Sequence, residues 1–215
     1  MLLINAISND YSNIQTCQNS RVVFFLRPTL TVARECLGKK LVRIESDGRS
    51  TSGTITEVEC YIGETDLACH ASVGITERTK MLYGEPGTLY IYLIYGMHWM
   101  LNLVTESKGF PAAILIRSLF PRTGINIMQG RRNKAVSDLT NGPAKIAQAF
   151  GINNTWNGYN TCAPDSKLFV EHDQFGGNME TVYKPRKGIH NSPEPWCSMP
   201  WNLSTHIKSS KEVYI

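Results

Sequence analysis

The sequence predicts a mixed α/β (α+β) domain in which strands paired through short turns dominate. Three observations point there. Two pairs of strand-like segments flank tight turn chemistry: KKLVRI and TSGTITEVECYIG around SDGRS, and LYIYLIY and MHWMLNLV around Gly96. Short helical patterns, TLTVARECLG and PAKIAQAFG, interrupt the strands and stop at glycine. No repeat, low-complexity block or second domain is evident along the chain.

In chain order, residues 1–20 are rich in Asn, Ser and Gln and read as a polar, disordered tail. The first apolar run, VVFFL at 22–26, is closed by Arg27-Pro28, so a single domain is expected over 21–215. A helix follows with Thr31 as its N-cap and Gly38 at its stop. In the strand after SDGRS, alternation places Ile55, Glu57, Glu59 and Tyr61 on one face and Val58, Cys60 and Ile62 on the other. ETDLACHASVGITERTKM reads as loop with a helical turn, and Glu85-Pro86-Gly87 as the turn into the next hairpin. AAILIRSLF, at 112–120, is a strand whose apolar run makes Arg117 conspicuous, because a buried guanidinium requires an anionic or acceptor partner. TGINIMQGRRN is a short helix with a basic end, Asn141-Gly142-Pro143 starts another, and beyond residue 152 one strand, KLFVEHD, is expected.

Composition narrows the function classes only modestly. The chain is 42% hydrophobic and 19% charged, ordinary for a globular protein, and its net charge of +4 permits an anionic partner without demanding one. Cysteines 17, 36, 60, 69, 162 and 197 form no CxxC pair, which favours a reducing, intracellular compartment. The N-terminus lacks a basic n-region and a long apolar run, so neither a signal peptide nor a membrane partner is expected.

Several residues could carry chemistry. Glu59, flanked by Val58 and Cys60 and sharing a face with Tyr61, is a candidate general base for a water; the bland alternative is that Glu57 and Glu59 form the solvated face of a strand. Cys69-His70, with Cys60 nearby, invites a thiol or zinc hydrolase, but zinc sites take four ligands in paired short spacings and no second pair is present. His70 is better used as a neutral hydrogen-bonding or stacking group. Tyr90 and Tyr92 fall on one face of their strand, and a turn at Gly96 leaves Tyr95 and Met97 at an exposed tip, where a large side chain can wedge between base steps of a duplex. Together these features suggest an enzyme that stacks a flat ring between aromatics.

The ordered segments TEVECYIGETDLACHAS, PGTLYIYLIYGMHWMLN, ILIRSLFP and NGPAKIAQAFGI resemble the alkyladenine (3-methyladenine) DNA glycosylase family, over roughly residues 22–190. The resemblance implies a curved antiparallel sheet flanked by helices, with a β-hairpin that protrudes into the DNA minor groove. It implies a monofunctional enzyme of base-excision repair that needs no metal or organic cofactor. Its partner would be double-stranded DNA containing damaged purines, met as a monomer in a bacterial cytoplasm or eukaryotic nucleus. By matching positions, Glu59 would activate the attacking water, with Arg117 and the backbone carbonyl of Ile189 completing the water site. Tyr61, His70 and Tyr92 would form the base pocket, and Asn102 would screen against the amino group of guanine. Tyr95 would fill the gap left by the flipped nucleotide, with Met97 and His98 beside it on the DNA. His98 departs from the aromatic residue common there, and beyond Ile189 the likeness thins, leaving Trp196 and Trp201 unassigned. A rival of another class is a nucleic-acid-binding module of the same fold without chemistry.

Overall fold

The 13-residue strand β2 (Ser50–Ile62) is the spine on which the rest of the chain assembles. In the computed structural model, which describes residues 20–173 and 179–207, the chain runs from α1 (residues 20–25) through α2 (Thr29–Cys36) and β1 (Lys40–Ile44) into β2. Two 3₁₀ turns, His70–Val73 and Lys80–Tyr83, lead to β3 (Leu89–Ile94), β4 (His98–Val104) and β5 (Ala112–Pro121). Helices α3 (Ile125–Arg132) and α4 (Pro143–Ala149) follow, then β6 (Leu168–Glu171), β7 (Val182–Lys184) and β8 (Asn202–Ser204). The tail expected over 1–20 lies, but for Ser20, outside the described residues, as do Cys17 and the chain beyond 207.

All pairings are antiparallel, in one curved sheet with the path β3-β4-β5-β2-β1-β6 and with β8 paired to both β2 and β7. One edge of β2 serves two partners: β1 pairs with Ser50–Thr54 and β8 with Glu57–Glu59. Between them the register against β5 shifts twice, Thr56 being skipped on β2 and Arg117 on β5, a bulged stretch after which Val58 and Ile116 are back in step with Ile55 and Leu119. The bulge corrects the simple alternation. Ile55, expected beside Glu57 and Glu59, packs instead in the core with Val58 and Cys60. Glu57, Glu59 and Tyr61 keep the opposite face.

The two faces have different jobs. One is covered by α2 and α4 over Leu41, Val58, Leu89, Leu101, Ile114 and Phe150. The other carries a smaller cluster of Cys69, Ala71, Leu82, Tyr90, Val104 and Ala113, against which Tyr61 and Tyr92 pack.

Two further expectations are corrected. Helix α2 starts at Thr29, not after Thr31, because Glu106 caps it from a distant strand end, its Oε1 accepting from Thr29 N–H at 3.0 Å and from the Thr29 hydroxyl at 2.6 Å. Beyond residue 152 the described residues hold three strands rather than one. β7 and β8 are three residues each, β8 held by pairing with β2 and β7 by pairing with β8, so they leave no alternation to read. No helix among the described residues is long and apolar enough to cross a membrane.

Candidate active site

A single rung of the sheet gathers side chains from five strands. Asn202, Glu59, Leu115, Asn102 and Tyr90 are successive Cα partners across β8, β2, β5, β4 and β3. In the neighbouring rung Tyr61 opposes Ala113. Because residues in register point to the same face, this arrangement sets the Glu59 and Tyr61 side chains on one side of a floor of Ala113 and Leu115. Asn102, Tyr90 and Tyr92 stand on the other. The gap between them is a pocket of about 340 Å³, closed at one end by His70 and at the other by Arg117 and Ile189.

Glu59 is fully buried, and its carboxylate accepts four hydrogen bonds. The Tyr61 hydroxyl donates to Oε2 at 3.0 Å and Arg117 Nη1 to the same oxygen at 3.0 Å. The Lys187 backbone N–H donates to Oε1 at 2.7 Å, and Asn202 Nδ2 to it at 3.0 Å. Both oxygens are thus oriented by donors from four different segments. The solvated-strand alternative for Glu59 is incompatible with this burial. Glu57 lies further out, bonded by Lys187 Nζ at 2.6 Å, Asn202 Nδ2 at 2.7 Å and Arg117 Nε at 3.3 Å. Burial pushes its carboxyl up, but these donors together outweigh burial and hold it below the usual range. Arg117 therefore has the anionic partners that its place in an apolar strand required.

The aromatic wall is built from touching rings. His70 meets the Tyr92 ring edge-on at 4.5 Å between centroids, and Tyr90 lies 5.2 Å from Tyr92. His70 Nδ1 and the Tyr90 hydroxyl share a hydrogen bond of 2.9 Å, so Tyr90 is part of the pocket rather than simple packing. Burial raises the Tyr61 and Tyr92 hydroxyls well above the ordinary phenol range, so both rings stay neutral. Asn102, 3% exposed, donates from Nδ2 to the Tyr90 carbonyl at 3.0 Å, which fixes the amide at the pocket floor.

Burial first, and the Arg78 guanidinium second, lower His70 from 6.5 to about 4. The unfolded chain therefore binds a proton that the native state refuses between those two values, and stability falls as pH drops through that window. Replacing His70 by Gln should make the acid-side decline of the urea midpoint shallower; an unchanged slope would mean that His70 protonates freely in the native state.

The β3–β4 turn projects from this wall. Tyr95 and Gly96 both have positive φ, 53° and 68°, the left-handed geometry that closes a hairpin tightly, with Met97 N–H donating to the Ile94 carbonyl. Tyr95 is 82% exposed and Met97 66%. His98, at the first pair of β4, lines the pocket, and its Nδ1 is buried without a hydrogen-bond partner among the described residues.

Lys187, Asn202 and the Asp66–Arg186 pair escaped the sequence, whereas Ile189 did not. Lys187 and Asn202 reach Glu59 from segments 128 and 143 residues away. Asp66 and Arg186 form a bidentate pair at 2.6 and 2.8 Å with both side chains fully buried, and the guanidinium lies 4.7 Å over the Tyr61 ring and bonds the Cys60 carbonyl. The only available signal was an Arg in a Gly- and Pro-rich stretch, which no periodicity distinguishes from a surface charge. Ile189 lines the pocket through the loop that Arg186 anchors, and its carbonyl accepts one bond, from Ser192 N–H at 2.8 Å, leaving a second lone pair.

The thiol and zinc reading is corrected by geometry. Cys60 points into the core behind Glu59, where burial raises its thiol far above the reactive range, and burial holds Cys69 at about 11. Among the described residues no group of three or more His, Cys, Asp or Glu could hold a metal ion.

The methylpurine-DNA glycosylase (MPG) family model matches residues 23–208. A protein of Methanocella arvoryzae is 45% identical over 179 residues, 80% of this chain and 88% of its own. One from Chlorobaculum parvum is 38% identical over 197 residues, 87% and 90% of the two chains. One from Alkaliphilus oremlandii is 40% identical over 190 residues, 84% and 92%. Each of the three carries the name "Putative 3-methyladenine DNA glycosylase".

Proposed function

Because this chain belongs to the methylpurine-DNA glycosylase family, hydrolases of N-glycosyl bonds in DNA, we propose that it flips a damaged purine out of the duplex and releases it by attack of a water activated by Glu59. The observation that carries this reading is the buried Glu59 carboxylate, bonded by Arg117 and Tyr61, which themselves line a pocket together with His70 and Tyr92. A module that merely bound nucleic acid would have no use for a carboxylate held at the cost of desolvation beside such a pocket.

In this reading the base stacks among the three aromatic walls and Asn102 meets its edge, screening against the exocyclic amino group of ordinary, unalkylated guanine. The water lies between Glu59, Arg117 and the second lone pair of the Ile189 carbonyl. Glu59 already accepts two bonds on each oxygen, so the water replaces one donor. The Tyr61 hydroxyl is the donor on the pocket side, and a base seated against that ring displaces it. The water's oxygen then forms its bond to C1′ while the glycosidic electron pair leaves with the base, and Glu59 takes the water's proton. The nucleophile is water rather than an amine, so the product is an abasic site with the strand intact.

Tyr95 and Met97 enter the minor groove as wedges, and His98 Nδ1 finds there the partner that it lacks in the free protein. Duplex DNA is the partner, met by a monomer inside the cell, and the scheme calls for no cofactor.

The test is a duplex holding one hypoxanthine or ethenoadenine, incubated with the protein and then cleaved at abasic sites with alkali. Strand breaks at the lesion are expected, and none from any alkylated or deaminated purine would sink the reading. Tyr95→Ser should weaken retention on lesion DNA by about 1–3 kcal/mol, the worth of one base–aromatic stack. Undiminished retention in a gel-shift titration would mean that the tip stays outside the duplex.

A further inference from the structure

Around the pocket most charges pair off; among the described residues Glu64, which accepts from the Tyr83 hydroxyl at 2.7 Å, and Arg78 have no ion pair. Glu57 and Glu59 face Arg117 and Lys187, and Asp66 faces Arg186. Glu77, next to Arg78 in sequence, bonds Lys80 at 2.7 Å instead. Arg78 makes no ion pair with a carboxylate among the described residues. Its guanidinium lies 5.3 Å over the Tyr92 ring, with Nη2 3.5 Å from His70 Nε2, on the outer side of two residues that wall the pocket. It is not itself part of the lining. His70 adds no charge of its own, since burial and Arg78 keep it neutral.

A fixed, uncompensated cation behind one wall acts on whatever charge the bound ring carries. Hydrolysis of the glycosidic bond moves an electron pair onto the departing base. A cationic N-alkylpurine therefore leaves neutral, and a neutral purine leaves with negative charge until solvent protonates it. In both cases the base becomes one unit more negative between the bound and the cleaved state. A nearby cation stabilises that change, and it also repels a base that is cationic when it binds. A Tyr92 ring already polarised from one side by Arg78 is moreover a poorer cation–π partner on the other.

Resting on the glycosylase reading above, we propose that Arg78 is a positioning residue, acting through Tyr92 and His70, that sets the pocket's charge preference: it weakens binding of cationic bases and speeds departure of cationic and neutral bases alike. Arg78 is exposed and outside the pocket, so solvent screens it and the effect is modest.

The test separates binding from chemistry on two duplexes, one with hypoxanthine and one with 7-methylguanine at a mildly acidic pH where that base is cationic. Arg78→Gln should lower the single-turnover release rate on both by about three- to tenfold, the range for one screened charge at this remove. In a Glu59→Gln background, which blocks turnover, Arg78→Gln should tighten binding of the 7-methylguanine duplex and leave the hypoxanthine duplex unimproved. Arg78→Lys, which keeps the charge, should restore the rate to within about twofold of wild type if charge is what matters. A wild type silent on both duplexes would remove the glycosylase reading and this inference with it. An active wild type with unchanged Arg78→Gln rates would remove the inference alone, as would Arg78→Lys failing as badly as Arg78→Gln, or no gain in affinity for the cationic lesion.

Discussion

Glu59→Gln is expected to lose base release by about 10²–10⁴-fold, the usual contribution of a positioned general base, while still retaining lesion-containing duplex. The substitution keeps shape but changes what the group offers. An amide has one acceptor oxygen in place of two, and its NH₂ cannot accept from Arg117, from Lys187 N–H or from Asn202. The best compromise turns the NH₂ toward the Tyr61 hydroxyl, which can accept, and leaves Arg117 to its second partner, Glu57. The side chain then stays in place with a small loss of stability, but it cannot take a proton from water. Single-turnover release of hypoxanthine, followed beside a gel-shift titration, separates the two effects. Equal turnover by the variant would remove Glu59 from the chemistry, and equal loss of binding and cleavage would mean that the pocket had collapsed.

Asp66→Ala should be the most destabilising single change near the site. It strands the Arg186 guanidinium, fully buried, without its bidentate partner, and it also takes acceptors from Ile62 N–H and Ala68 N–H. Breaking one half of a buried pair costs about 3–5 kcal/mol, mostly because the remaining charge stays desolvated. The urea midpoint at constant slope reads this directly. Replacing both partners, Asp66→Leu with Arg186→Met, should recover most of the stability, since neither charge is then buried. Activity should not recover with it. Arg186 holds the Tyr61 ring from behind and anchors the loop that brings Lys187 N–H to Glu59, and methionine does neither. A double variant that regained full turnover would show the pair to be only a structural staple. A loss below about 1 kcal/mol for Asp66→Ala would show that water reaches the guanidinium.

How much of this was legible beforehand depended on range. The two hairpins, the Gly96 tip and the shared face of Tyr90 and Tyr92 follow from alternation and turn chemistry within short, contiguous stretches, Lys40 to Thr54 and Leu89 to Leu103. Position matching to a known family singled out Glu59, Arg117, Asn102 and Ile189; the last three line one pocket, and Glu59 lies buried behind it, bonded to Arg117. The misses share a cause. Thr31 was preferred as a cap because Glu106, the group that caps α2, lies 77 residues from Thr29. Alternation misplaces Ile55 because the register irregularity between β2 and β5 depends on strand pairing, which alternation along β2 does not register. β7 and β8 were invisible because three residues have no period.

By itself, the sequence determined where the longer strands run, where the exposed tip falls, and which acid and aromatics share a face, because those properties are local and sterics over a few bonds decide them. Only the tertiary structure decided that Glu59 is buried with all its acceptor positions filled, that Asp66 and Arg186 brace Tyr61, and that Arg78 stands uncompensated behind the pocket. Each of these depends on groups brought together from distant parts of the chain, where desolvation makes a charge's partners matter most, and no spacing rule spans that distance.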